Sequence, residues 1–390
     1  MNGVEYYIGG ERTEDRPLRP YSPEALAFVA ELSAALMQSP AARVYPDMMA
    51  LAFWCRRSNL QKMQETCPEA EIRLGRGLCF HIAPGNVPIN FAFSYLFGVL
   101  AGCANIVRLP SRAFTQIRLV CDALNDVLPR HPEIQRRTAF VRYPADDAIT
   151  EQFSRMADAR VIWGGDETVA RMKALPARPR CVDVAFADRY SLCVLNGRAV
   201  LELEQEGLSR LAENFYNDTY LMDQNACSSP QLICWLEDAP KARERFWQAV
   251  YAVAARKYEL QAAVSVDKYT KMCEDAIELE AVSAVKRQGN LVYRAQLETL
   301  SGDLTALRGR GGYFYECALG GLEDLAPFVT EKYQTVTTFG LEPEQIRRFV
   351  TENRLRGIDR ICPVGKAMDI GIFWDGYDLV RTLSRRIALG

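Results

Sequence analysis

Short, continuously apolar runs alternate with longer stretches of helical period between residues 76 and 198. GLCFHIA, NIVRLP, RRTAFVRYP and ADARVIWGG read as strands. INFAFSYLFGVLAGCA, apolar on every side, reads as a buried helix, and TQIRLVCDALNDVLPRHP as an amphipathic helix closed by prolines. DETVARMKAL is a further helix that Asp166 is placed to cap, and RPRCVDVAFADRYSLCVLN adds one or two strands. Such alternation predicts βαβ units and a parallel sheet. Upstream, PEALAFVAELSAALM and FWCRRSNLQKMQET carry helical period, so residues 1–70 read as a helical lead-in. Downstream, LELEQEGLSRLAENFYNDTY is a helix, and strands follow in SPQLICWL, NLVYRAQL, GYFYECAL and YQTVTTFGL. No repeat, low-complexity segment or linker interrupts the pattern. The expected organisation is α/β. Residues 1–198 form helices plus a dinucleotide-binding α/β unit, 199–345 a second α/β unit, and 346–390 a segment that packs on the first unit or on a neighbouring subunit.

Composition narrows the function classes. Hydrophobic residues make up 49% of the chain, enough for large cores. The formal net charge of −2 leaves no basic footprint for nucleic acid. The longest apolar run, within 91–104, is broken by Ser94, Gly98 and Gly102 and is too short to span a bilayer. The opening MNGVEYYIGGERTEDR has neither the basic nor the apolar part of a signal peptide. Twelve cysteines are scattered singly without a CxxC pair, which predicts neither a disulfide framework nor a zinc site. His81 and His131 are too few for a metal cluster or a Ser-His triad, and His81 falls inside an apolar strand as a packed core histidine. A reduced, cytoplasmic protein is the expectation.

The candidate chemistry lies in two segments. YNDTYLMDQNACSSPQ, residues 216–231, sets Cys227 among small and amide residues just before a Ser-Ser-Pro break. There backbone N–H groups can point at a thiol, lower its pKa and stabilise an oxyanion beside it. Far upstream, PGNVP follows the GLCFHIA strand, so its loop lies at the carboxyl end of a parallel strand, where open α/β sheets bind ligands. Prolines 84 and 88 stiffen that loop and hold the Asn86 amide as a candidate oxyanion donor. A turn-forming asparagine is the plainer alternative. No GxGxxG follows any expected strand. Instead Gly164 and Gly165 turn a strand into a helix, whose N-terminal N–H groups can face a pyrophosphate.

With these segments the chain resembles the aldehyde dehydrogenase superfamily, and within it the LuxC-like fatty acyl-CoA reductase family. The resemblance is carried by HIAPGNVPIN with NIVRLPSR, by MDQNACSSPQ, and by GIDRICPVGKAMDIGIFWDGYDLVRTLSRRI at 357–387. It implies two Rossmann-like α/β domains with the active site between them, Cys227 as nucleophile and Asn86 with the Cys227 N–H as oxyanion donors. It also implies that Gly164 and Gly165 line a nicotinamide nucleotide, that RLPSR (Arg108, Ser111, Arg112) contacts its ribose, and that Glu331 holds the nicotinamide ribose. The superfamily's usual segment resembles KPSE. Arg112 stands here in the acidic place, with Arg108 nearby, a pair suited to a 2′-phosphate and hence to NADPH. Oxidising members carry a water-activating glutamate in a segment like ELGGKSP. AFADRYS at 185–191 has none, with Asp188 the one candidate substitute. The resemblance therefore implies NADPH-dependent reduction of an acyl-CoA or acyl-protein thioester to a long-chain aldehyde, a homo-oligomer, and an acyl-protein synthetase partner. The alternatives are a coenzyme A-acylating aldehyde dehydrogenase acting on a short aldehyde, and a non-catalytic acyl relay or scaffold.

Overall fold

The computed structural model describes residues 3–11, 13–67, 71–85 and 87–389. Asn86 lies outside the described residues. The chain forms two compact units, one from residues 1–187 with 370–390 and the other from 188–369.

The first unit begins with β1 (Glu5–Ile8) and, beside a one-turn helix at Pro40–Arg43, the longer helices α1 (Pro23–Gln38), α2 (Pro46–Trp54) and α3 (Arg57–Glu65). The Ser22 hydroxyl caps α1 and Pro23 opens it, and Ala25, Phe28, Val29, Leu32 and Leu36 form its buried stripe. FWCRRSNLQKMQET is not one helix. Arg56 adopts an extended conformation, and the Asn59 side chain donates to Trp54 O at 2.8 Å, satisfying an end carbonyl of α2. The short strand β2 (Arg73–Gly75) leads into the alternating core: β3 (Leu78–Ile82), α4 (Asn90–Leu100), β4 (Ala104–Arg108), α5 (Thr115–Val127), β5 (Thr138–Arg142), α6 (Asp147–Met156), β6 (Ala159–Trp163), α7 (Asp166–Ala174) and β7 (Val182–Phe186). The sheet order is β1-β5-β4-β3-β6-β7, parallel throughout except for β1 at the edge. All of β3 is buried, as a strand covered on both faces must be. Alternate residues feed two cores: Cys79, Val107, Phe140 and Val161 on one face, Phe80, Ile106, Val141 and Ile162 on the other. Trp54 packs edge-on against Phe93 and Phe97 of α4, with centroids 5.7 and 5.6 Å away.

The second unit is built on β8 (Tyr190–Asn196), α8 (Gln205–Thr219), β9 (Leu232–Leu236), α9 (Pro240–Lys257), α10 (Ala262–Glu278), β10 (Val282–Gln288), β11 (Val292–Leu297), β12 (Tyr313–Ala318), β13 (Tyr333–Phe339), α11 (Pro343–Glu352) and β14 (Arg360–Pro363). Its seven strands run in the order β10-β11-β12-β9-β8-β13-β14, with only β10 antiparallel. The expected boundary at residue 198 moves to 187/188, because β8 pairs with β9 and β13 rather than with β7. The expected C-terminal segment also starts later. Residues 346–369 remain with the second unit through β14, and only 370–390 belong to the first. This last stretch carries β15 (Phe373–Trp374), β16 (Tyr377–Asp378) and β17 (Ser384–Arg386), and β17 pairs antiparallel with β2.

Candidate active site

Cys227 sits between α8 and β9 on a loop that its neighbours hold in place. After α8 a single 3₁₀ turn ends in two left-handed residues, Asp223 (φ 51°) and Gln224 (φ 63°). Side chains of this kind tolerate that region only when the surroundings impose it. Here they do. Tyr258 OH donates to Asp223 Oδ1 at 2.7 Å, and Gln224 Nε2 donates to Tyr313 O at 2.8 Å and Pro230 O at 3.2 Å. Ser229 Oγ donates to Asp218 O at 2.8 Å, and the Asp218 carboxylate accepts from the Gly365 and Ala367 N–H groups at 2.6 and 2.9 Å. Burial raises the Asp218 carboxyl to about 6, against the two N–H bonds that lower it.

The cysteine itself is fixed from β8 and β13. Ser191 Oγ donates to Cys227 O at 2.7 Å and accepts the Thr335 N–H at 3.2 Å. Gln334 Nε2 donates to Cys227 Sγ at 3.3 Å. The site therefore lies at the amino ends of β8, β9 and β13. Among the described residues, which include all twelve cysteines, Cys227 alone is exposed. Burial pushes other thiols up, Cys103 to about 11 and Cys121 to about 12. Ser191 and Gln334 were not singled out from the sequence. Their signal was a polar pair of side chains inside strands that are otherwise buried.

Of the expected nucleotide residues, Arg108, Ser111, Arg112, Gly164 and Gly165 lie at the carboxyl edge of the first unit's sheet, whereas Glu331 lies in the second unit. The chain moves outward from β3 to β4 and β5, then returns to the other side of β3 with β6 and β7. The strand order reverses beside β3, so the loops after β3 and β6 flank a switch point, the usual binding crevice of an open α/β sheet. Gly164 and Gly165 follow β6. Gly164 N–H donates to Phe186 O at 3.1 Å, and a Cβ there would meet Thr168 Cβ at 2.9 Å. Gly165 has no heavy atom within 4 Å of a Cβ position. Gly165, not Asp166, is the N-cap residue of α7, and Asp166 with Glu167 forms an acidic first turn that suits the helix dipole. The far end of α7 is pinned by buried Arg160, which donates to Met172 O and Leu175 O at 3.0 Å each and grips Asp183 of β7 with two 2.7 Å bonds.

After β4, the Arg108 guanidinium stacks 4.4 Å over the Tyr143 ring, and exposed Arg112 lies 5.0 Å over Phe114. Ser111 is exposed, with its Oγ 3.4 Å from the Cβ position of Gly85, which places the β3 and β4 loops side by side. In the second unit, Glu331 is 67% exposed and pairs with Arg356 at 3.3 Å, just before β13. Asp188, the candidate replacement base, is ion-paired with Arg308 at 2.8 Å and lies 3.8 Å from Lys332. His81 is a core residue as expected. It is fully buried, held neutral by burial with its pKa down to about 4, and bonded to Ser94 Oγ (2.8 Å) and Asn105 Oδ1 (3.0 Å). Among the described residues no group of acidic, histidine and cysteine side chains is placed to hold a metal ion. Among the described residues no helix is long and apolar enough to cross a membrane.

Comparison with known proteins adds family and fold. Residues 18–386 match the family described as acyl-CoA reductase (LuxC). The long-chain acyl-protein thioester reductase of Vibrio harveyi is 33% identical over 167 residues, covering 42% of this chain and 33% of that protein. The protein of that name from Photorhabdus laumondii is 24% identical over 311 residues, covering 78% of this chain and 62% of its own. The chain thus spans less than two thirds of these relatives. Among solved structures, aldehyde dehydrogenase 21 of Physcomitrella patens superposes with a TM-score of 0.65 at 10% identity, over 93% of this chain and 85% of that one. An oxidoreductase from Marinobacter aquaeolei gives 0.65 at 11% identity, over 95% and 87%. At these identities the likeness shows the fold, which is that of the aldehyde dehydrogenases.

Proposed function

Because the chain belongs to the acyl-CoA reductase (LuxC) family, we propose that it reduces an acyl thioester, acyl-CoA or acyl-protein, to a long-chain aldehyde through an S-acyl intermediate on Cys227. The observation that carries this reading is the state of that cysteine: it is exposed where the others are buried or half-buried, and it sits on a loop clamped through Ser191, Gln224 and Asp218.

The Cys227 thiolate attacks the thioester carbonyl carbon and forms a new C–S bond. The oxyanion is assigned to the Cys227 N–H and Asn86. Collapse breaks the donor's C–S bond, and the donor thiol leaves. A nicotinamide nucleotide, NADPH in this reading, would be held by the residues named below and would supply a hydride to the carbonyl carbon of the S-acyl group on Cys227, giving a thiohemiacetal. Collapse then frees the aldehyde and returns the thiolate. The fit to that cofactor rests on the open side of Gly165, where a backbone can approach a phosphate, and on the exposed guanidinium of Arg112. Arg108, Ser111, Gly164 and Glu331 complete the assigned set. The S-acyl group must outlive water attack, which agrees with a segment lacking the usual glutamate and with an Asp188 already engaged by Arg308. The names of the Vibrio and Photorhabdus relatives favour an acylated protein as donor; a homo-oligomer and an acyl-protein synthetase partner complete the proposal.

The test is acyl labelling. Radioactive acyl-CoA should label Cys227 and no other cysteine, and Cys227→Ala should lose both the label and trapped aldehyde while its melting temperature stays that of the parent. Label on a different cysteine overturns the assignment. NADPH consumption against a ladder of acyl lengths, with acyl-CoA and acyl-protein compared, then sets the donor.

A further inference from the structure

We propose that Gln334 is a catalytic residue, whose side-chain N–H solvates the Cys227 thiolate before attack and again as it departs from the thiohemiacetal. The inference rests on the reading of Cys227 as nucleophile.

Three observations carry it. The first is the contact: Nε2 lies 3.3 Å from Sγ, within the range for an N–H donor to sulfur. The second is the amide's fixed orientation. Gln334 is 1% exposed, and Thr335 Oγ1 donates to its Oε1 at 3.3 Å, so the oxygen end is taken and the nitrogen end faces the sulfur. The third is the backbone that aims it. β13 pairs with β8 at Tyr333↔Tyr190 and again at Val336↔Leu192, which places one extra residue on β13 at Gln334–Thr335 opposite Ser191. A bulge of this kind turns a side chain out of the regular alternation, and bulges concentrate beside active sites. The same bulge lets the Thr335 N–H reach Ser191 Oγ, which in turn holds Cys227 O. One irregularity of pairing thus fixes the cysteine's carbonyl and supplies a donor to its sulfur.

The chemistry suits a neutral donor. A hydrogen bond to a charged partner stabilises that charge about tenfold to hundredfold over its absence. The amide favours thiolate over thiol before attack. It has little to bind in the S-acyl enzyme, where the sulfur carries no charge, and it stabilises the electron pair that returns to sulfur when the C–S bond breaks. A full positive charge in its place would hold the thiolate so firmly that its nucleophilicity falls.

The experiment follows Cys227 alkylation by iodoacetamide on the intact protein between pH 6 and 10, with the site read by peptide mass spectrometry. It compares the parent with Gln334→Met, which keeps the volume and loses the donor, and Gln334→Asn, which keeps the amide and shortens its reach. The midpoint should move to a pH about one higher in Gln334→Met, with alkylation at neutral pH about tenfold slower. Aldehyde formation should fall with it, with nucleotide affinity unchanged. Gln334→Asn should shift in the same direction, and it decides the matter should the Met variant not fold. A profile that superposes on the parent in the folded variants overturns the role of Gln334. The underlying reading fails separately, if Cys227→Ala still makes aldehyde.

Discussion

At the scale of single residues, the proposed nucleophile stands out in the sequence because cysteine chemistry favours small neighbours, and NACSSP supplies them. Its helper does not. Gln334 stands in YQTVTTF, where a strand's strict alternation would place it and Thr335 on opposite faces. The extra residue in the β13–β8 pairing changes what each can reach, and a register irregularity leaves no mark in composition or period. The arginines are the reverse case. They were chosen for charge, and the structure separates them: Arg108 is stacked on Tyr143, whereas Arg112 is exposed. Cofactor discrimination is therefore assigned to Arg112. Arg112→Glu should weaken NADPH binding by tenfold to hundredfold, with NADH little changed. Parallel kinetics with both nucleotides check it, and an unchanged preference makes Arg112 a surface charge.

At the scale of elements, most of the alternating region was legible, since buried parallel strands and the helices between them carry opposite periods. GLCFHIA, NIVRLP and VIW became β3, β4 and β6, and the four strand segments read downstream became β9, β11, β12 and β13. What escaped were short or edge elements. β1 lies within the supposed helical lead-in, and VSAVKRQ of β10 is half-exposed and mixed in polarity. The β6–α7 turn shows how two adjacent glycines divide their work. Gly164 is required by packing, since its Cβ position is filled by Thr168. Gly165 has room and an ordinary backbone, φ −69° and ψ 167°. Gly165→Val should therefore melt within a few degrees of the parent yet bind nicotinamide nucleotide at least tenfold more weakly. Gly164→Val should lose stability, of the order of 1–3 kcal/mol for an overpacked site. Thermal melts and nucleotide titrations distinguish them. Full affinity in Gly165→Val would remove the turn from the cofactor site.

At the scale of the whole molecule, Asp218 ties the cysteine loop to the turn at 365–367, and its ionisation reaches global stability. Its carboxyl is raised to about 6 by burial, above the ordinary 3.8. The native state thus keeps a proton that the unfolded chain has lost between those values. The contribution is fully present below about pH 4 and disappears as pH rises through 6, and it amounts to about 3 kcal/mol at most. In Asp218→Asn that contribution is absent. The parent's advantage in melting temperature over this variant should be larger at pH 4 than at pH 7.5, narrowing as pH rises through 6. A gap that widens with pH would show that the N–H bonds of Gly365 and Ala367 outweigh burial. The unit boundary was the feature least visible in the sequence. Only residues 187–189 separate β7 from β8, so one strand-rich segment feeds two sheets with no linker between them.

The first unit is discontinuous in the chain, and that sets an order of assembly. The Arg73 guanidinium donates to Arg381 O at 2.7 Å and Arg76 to Thr382 O at 2.6 Å, while β2 pairs with β17. Synthesis delivers those partners after every strand of the second unit. On the ribosome the unit bearing Cys227 is complete by residue 369, while the unit begun first still lacks its closing strand. Cys227 therefore lies in a unit whose strands have all been made before the first unit receives β17.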